Sequence, residues 1–218
     1  MPDLLTIYHR LRQEYSLNGW WPAESPFEVV VGAFLTQNTN WNNVEKALTN
    51  LRDANALDLP LLAQIPRADL EQLIRPSGFF RQKAERLQNF CRYLLAEHDG
   101  VLSDLLHLRL DAARDRLLAQ PGIGHETADS ILLYAGDRPS FVIDSYTRRL
   151  FGRIGILTGS EKYDDIRQLF MDRIPEEVPL YKDYHALIVT HCKELCRKTP
   201  LCRQCFCANF CAYAVKAS

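Results

Sequence analysis

The chain has 218 residues, 47% of them apolar, enough for a sizeable core in one or two small domains. Lys and Arg number 26 against 27 Asp and Glu, so the formal net charge of -1 carries no overall basic signature. No apolar run reaches the ~20 residues that span a bilayer. The opening Met-Pro-Asp-Leu-Leu-Thr lacks the basic and apolar segments of a signal peptide, so a soluble, cytoplasmic protein without membrane contact is expected.

Leu4, Ile7, Tyr8, Leu11 and Tyr15 mark an amphipathic first helix that Asp3 can cap. Asn18-Gly-Trp-Trp-Pro22 reads as a loop exposing two adjacent tryptophans. Ser25-Pro-Phe-Glu28 combines a capping box with proline at the first helical position and starts a helix to about Thr36. That helix is apolar nearly all round and belongs in a core. Gln37-Asn-Thr-Asn40 interrupts it, and Val44, Ala47, Leu48 and Leu51 define the next helix. Short segments near Leu61–Ile65 and Asp69–Ile74 precede the turn Arg75-Pro-Ser-Gly78. Phe79 to Ala96 reads as a long helix, with packing the default role of Phe79, Phe80 and Trp41, and Leu102–Leu106 as a short one.

Asp111–Gln120 and Glu126–Ala135 are two further helices joined by Pro121-Gly-Ile-Gly124. Two glycines in four residues leave the turn backbone bare, so amides at the start of the second helix can approach an anion. A plain αα-hairpin uses the same turn, and Gly-x-Gly alone does not decide between them. Past Asp144 the pattern gives helices at about Lys162–Ile174 and Leu180–Cys192. Phe141-Val-Ile143 is too short for a sheet, and the fold class expected is all-α.

Six of the seven cysteines fall between Cys192 and Cys211. Without a secretory signal, a metal site is the first reading. Cys196-x5-Cys202-x2-Cys205-x5-Cys211 offers four thiolates, which suit tetrahedral zinc or an iron–sulfur cluster; spacing alone does not choose. Cys192 competes for the role of first ligand, Cys207 is read as a spare thiol, and Cys91 as a buried apolar residue. Basic clusters border these elements: Arg148, Arg149 and Arg153 after Asp144, and Lys193, Arg197, Lys198, Arg203 and Lys216 around the cysteines.

Leu-x-x-Pro-Gly-Ile-Gly-x-x-Thr-Ala, followed by Val-Ile-Asp-Ser, resembles the helix-hairpin-helix DNA glycosylases of the endonuclease III superfamily, from about Pro26 to the final cysteines. Trp-Trp-Pro-x-x-x-Pro-Phe-Glu, Leu-Thr-Gln-Asn-Thr and Arg-Pro-Ser-Gly-Phe look like its 3-methyladenine DNA glycosylase branch. The resemblance implies a two-domain helix-hairpin-helix fold, with a six-helix domain over 25–133 and a second domain from 1–24 plus 134–218. It implies action on double-stranded DNA containing damaged bases, nucleoid-associated if bacterial; no feature of the sequence suggests an obligate oligomer, so a monomer is expected.

By the same resemblance, Pro121, Gly122, Ile123, Gly124, His125 and Thr127 grip DNA. Gln37 and Asn38 fill the space left by the extruded nucleotide, Lys83 and the Gly78 turn touch the backbone, and Trp20, Trp21 and Glu126 line the base pocket around Asp144. It favours a [4Fe-4S] cluster on Cys196, Cys202, Cys205 and Cys211 over zinc, although the first gap is one residue shorter than the family pattern.

A glycosylase must pass through an oxocarbenium-like state, for which a nearby carboxylate is the natural stabiliser. Asp144 is the candidate, although Asp before Ser-Tyr-Thr-Arg-Arg-Leu is also a good helix cap. Members of the family that cleave the strand carry lysine where this chain has Glu126, so hydrolytic base release without a Schiff base is expected. Exposed tryptophans suit a cationic alkylated purine. The other readings are oxidised pyrimidines or mismatched bases on the same fold, or a non-catalytic DNA-structure binder.

Overall fold

A computed structural model of the chain describes residues 3–17 and 20–217, the last two in backbone only. Asn18 and Gly19 of the tryptophan loop and the Lys216 side chain lie outside the described residues. Among the described residues, thirteen α-helices and short 3-10 and π turns make up the regular structure, and no strand occurs. Two compact units are formed, one from 21–138 and one from 1–20 with 139–218.

In the first unit, α2 (Pro26–Thr36) begins where Ser25 accepts from the Glu28 amide at 3.1 Å. The capping box is one-sided. The Glu28 carboxylate is buried and receives the Glu24 amide and the Arg52 guanidinium. Asn40 caps α3 (Trp41–Asp53), whose Val44, Ala47, Leu48 and Leu51 are all buried. Then follow α4 (Leu59–Gln64), α5 (Arg67–Leu73), a 3-10 turn at Arg75–Ser77, α6 (Phe80–Glu97), α7 (Leu102–Leu106), α8 (Leu110–Leu118) and α9 (His125–Ser130).

Past Ser130 the chain continues as a π turn, Ile131–Ala135, closed by Gly136 N–H to the Ile131 carbonyl. The 3.6 periodicity of this stretch therefore hides a local widening. Phe34, Leu48, Leu87, Phe90, Leu117 and Ile131 belong to one continuous core.

In the second unit, α1 (Leu4–Glu14) is capped by Asp3 and buries Leu4, Ile7 and Leu11. The unpaired segment Phe141–Ile143 is fully buried, and Phe141 stacks on Phe170 at 4.5 Å. Phe151 meets Phe170 edge-on at 4.8 Å. Truncating a ring of this kind costs about 3–5 kcal/mol. After α10 (Ser145–Ile154) come α11 (Tyr163–Arg173), α12 (Val178–Glu194), a 3-10 turn at Cys202–Gln204 and α13 (Ala212–Ala217). Helices α10 and α13 exceed the sequence expectation.

Candidate active site and nucleic-acid interface

The hairpin is built as its sequence requires. Ile123 N–H closes the turn onto the Gln120 carbonyl, Gly122 adopts φ +86°, and Gly124 caps α9 with extended backbone. Ile123 and Thr127 are buried, whereas Pro121, Gly124 and His125 are exposed. Ile123 thus offers a DNA ligand only its backbone. Gln37 is tied to this turn: its Nε2 donates to the Gly122 carbonyl at 2.9 Å and to Thr127 Oγ1 at 3.1 Å. Asn38 beside it is exposed, with φ +54°. His125 contacts Arg114, which is paired to the fully buried Asp129.

Around the Gly78 turn, the structure corrects two expectations. Phe79 does not pack: it takes a left-handed conformation and stands 64% exposed ahead of α6. Lys83 is buried, and Nζ donates to the carbonyls of Leu35 and Ser77, so its ammonium braces α2 and the turn instead of presenting itself at the surface. Burial lowers its pKa to about 8.

The tryptophans are also less open than expected. Both are half-buried. Trp21 lies 4.8 Å from the Tyr134 ring, meets Trp41 edge-on, and covers Gly32. Trp20 belongs to the other unit, edge-on to His185, with Lys193 Nζ 5.5 Å from its ring centroid. Glu126 is exposed in the first turn of α9, where a carboxylate complements the helix dipole.

Asp144 caps α10, and its two oxygens differ. Oδ1 accepts from the Thr147 amide at 2.7 Å and the Thr147 hydroxyl at 2.9 Å. Oδ2 faces His185 Nε2 at 3.6 Å, an electrostatic contact longer than a good hydrogen bond. Burial alone would raise the carboxyl pKa. His185 and the Thr147 bonds outweigh it and hold the group below its ordinary value. Asp144 is therefore a cap and a buried anion at once.

Cys196, Cys202, Cys205 and Cys211 line one cavity, together with Cys207, His191 and Arg153 and the apolar walls of Leu150, Ile154 and Pro200. Cys192 does not line it, and its sulfur lies 3.5 Å from the Tyr146 carbonyl. The Cys196 thiol is lowered to about 6 by the neighbouring Cys192 thiol and Arg153. Cys205 is lowered to about 4 by Cys207 and His191. A sulfur-rich, apolar-walled donor set fits a thiolate-bound metal group.

Cys207 is not remote from this set: donor atoms of Cys205, Cys207 and His191 lie within 4.8 Å of one another. The bordering arginines are structural. Arg149 donates to the carbonyls of Cys192 and Cys196, Arg153 to those of Cys196, Arg197 and Lys198, and Arg148 to that of Glu161. His185 and His191 escaped the sequence reading. Their signal is polarity at core positions: both are buried on α12, which also carries charged residues.

Residues 31–176 match the model of the HhH-GPD superfamily base excision DNA repair proteins. The chain belongs to this family. It is a helix-hairpin-helix DNA glycosylase of the endonuclease III superfamily, whose activity is hydrolysis of the bond between base and sugar.

It is 46% identical, over 94% of both chains, to the MJ1434 protein of Methanocaldococcus jannaschii, whose name assigns it provisionally as a DNA repair glycosylase. Identity to endonuclease III of Thermotoga maritima is 30%, over 86% of this chain and 83% of that one. The crystal structure of the H. pylori 3-methyladenine DNA glycosylase MagIII, bound to 1,N6-ethenoadenine, superposes with a TM-score of 0.77 at 30% identity, covering 88% of this chain and 98% of the other. A non-covalent endonuclease III–DNA complex shares the fold at TM-score 0.85 and 22% identity, over 98% and 96% of the two chains.

Proposed function

We propose that this glycosylase removes alkylated purines such as 3-methyladenine by hydrolysis and leaves an abasic site. The observation that carries the proposal is the Asp144 carboxylate, buried, held ionised, with one oxygen outside the cap. In the reaction the C1′–N bond breaks with its electron pair leaving on the base, and water adds to C1′. Asp144 stabilises the positive charge that develops on the sugar, or takes the proton of the attacking water. A cationic alkylated base needs little protonation to leave.

The target base must first leave the stack. We assign Trp20, Trp21 and Glu126 to its recognition, the hairpin backbone at Gly122, Gly124 and His125 to a phosphate, and exposed Asn38 and Phe79 to the disturbed duplex. Gln37 then acts chiefly through its bonds to the hairpin. Glu126 offers no amine for a Schiff base, so strand cleavage is not expected. The similarity to MagIII supports the purine reading. Cys196, Cys202, Cys205 and Cys211 would hold a [4Fe-4S] cluster that orders the C-terminal loop and takes no part in base release; zinc is the alternative.

The test is base release from randomly methylated DNA, resolved by product, beside a thymine-glycol duplex. Free 3-methyladenine or 7-methylguanine, with nicking only after alkali, is the expected result. A second reading, action on oxidised pyrimidines, is favoured by the similarity to endonuclease III of Thermotoga maritima. Nicking at thymine glycol without alkali would establish it.

A further inference from the structure

Asp144 gives its cap only one oxygen. The other faces a buried imidazole. His185 sits in the middle of α12, 6% exposed, in a run whose Tyr184, Ala186, Leu187 and Ile188 are all fully buried. A leucine or methionine would fill such a position without the cost of desolvating a polar ring. The ring instead brings Nε2 to 3.6 Å from Asp144 Oδ2, and the Trp20 indole stands perpendicular to it, at an interplanar angle of 87°. Besides burial, His185 on α12 and Thr147 on α10 act on the carboxylate, and the carboxylate in turn raises the Cys192 thiol.

We propose that His185 is a positioning residue for base release: its Nε2–H fixes the direction of Asp144 Oδ2 toward the sugar, while the cap fixes Oδ1. The proposal rests on the role assigned to Asp144 above. A carboxylate anchored through a single oxygen can still swing about its Cβ–Cγ bond. With Oδ2 also drawn electrostatically to the imidazole, it keeps its field on one point, and preorganisation of that kind contributes to rate, not to DNA affinity.

The experiment uses the full chain and compares wild type, His185→Leu, His185→Gln, Asp144→Asn and the double variant His185→Leu/Asp144→Asn. Leucine fills the site without a donor, and glutamine restores an N–H near the Nε2 position. Single-turnover base release from methylated and thymine-glycol duplexes is measured together with Kd for a duplex bearing an abasic analogue.

His185→Leu should lower the single-turnover rate by roughly 10- to 100-fold. Its Kd should stay at the wild-type value, His185→Gln should recover most of the rate, and the double variant should be no slower than Asp144→Asn. A His185→Leu rate equal to wild type beside an inactive Asp144→Asn overturns the proposal. So does a double variant slowed further by the same factor, which would make His185 an independent participant. Full activity of Asp144→Asn instead removes the role of Asp144 itself.

A readout without substrate is the carboxyl carbon resonance of Asp144. Its titration midpoint should rise in His185→Leu and return in His185→Gln, and an unmoved midpoint refutes the contact.

Discussion

Gly122 and Gly124 stand two residues apart in one turn, and the structure gives them different reasons to be glycine. At Gly122, φ is +86°, and an added Cβ would lie 2.1 Å from Arg86 Cδ and 2.7 Å from its Cγ. Alanine there costs ~1–2 kcal/mol for the left-handed backbone and ~0.5–1.5 kcal/mol to drive Arg86 into another rotamer. Together these are about 2 kcal/mol, or a loss of roughly 4–8 °C in Tm for a chain of this size. At Gly124, φ is -91° with ψ 177°, and no atom lies within 4 Å of the added Cβ. Alanine there loses a little as an N-cap and gains a little from a stiffer unfolded chain, so stability should stay within about 0.5 kcal/mol.

Its methyl group, however, would stand on an exposed turn where, on the proposed reading, a phosphate approaches the amides. Losing one or two charge-assisted bonds of ~1.5–3 kcal/mol should weaken DNA binding about 10- to 100-fold. Thermal melts of Gly122→Ala and Gly124→Ala, with anisotropy titrations against an abasic-analogue duplex at fixed salt, separate the two. Wild-type affinity in Gly124→Ala would refute the phosphate contact, and wild-type stability in Gly122→Ala would refute the backbone strain.

Asparagine caps helices as well as aspartate does, so Asp144→Asn should keep most of the stability while losing base release, and Asp144→Ala should cost ~1 kcal/mol in addition. Because the folded pKa of Asp144 is depressed, its charge contributes stability that is present above the ordinary carboxylate pKa and lost as pH falls through the folded value. Urea midpoints of wild type and Asp144→Asn should therefore converge as the medium is acidified below about pH 4; a gap that widens instead contradicts the depressed pKa.

Lys83 has its pKa lowered from 10.5 to about 8, so the folded state binds fewer protons than the unfolded one between those values. Wild type should accordingly gain stability over Lys83→Met as pH rises through that window, and a falling difference in urea denaturation would refute it. Cys207→Ser should retain iron and visible colour on purification while Cys202→Ser and Cys211→Ser lose both; colourless wild-type protein containing zinc alone overturns the cluster assignment.

Local chemistry was legible in the sequence. Asp3 and Ser25 cap the helices they precede, and Val44, Ala47, Leu48 and Leu51 are buried as their spacing requires; the Asn40 cap of α3 comes from the structure. The hairpin and the all-α class were equally open to reading. Helix α10 was open to reading too: Thr147, Leu150, Phe151 and Ile154 are buried at the i, i+3, i+4, i+7 spacing behind the cap Asp144.

What stayed hidden depends on the folded chain. The half-burial of the tryptophans is set for Trp21 by Tyr134 and Gly32, far along the sequence. The arginine cluster after Asp144 reads as a basic patch, and only the fold reveals that its guanidiniums point to carbonyls. Phe79 looks like a packing residue until its positive φ turns it outward.

The same commitments bear on how a chain of net charge -1 deals with a polyanion. Arg149 and Arg153 are occupied by the end of α12 and the cysteine loop, Lys83 by two carbonyls, and Arg114 by Asp129. Cations committed to internal acceptors leave fewer for counterion release, so on the proposed reading backbone amides at the hairpin and apolar contact from Phe79 supply a larger share of the grip. A grip of that kind positions the duplex without reading its sequence. On the proposed reading, discrimination falls to the stage after the base has left the stack, where an aromatic face would reward a cationic base and Asp144 a weakened glycosidic bond.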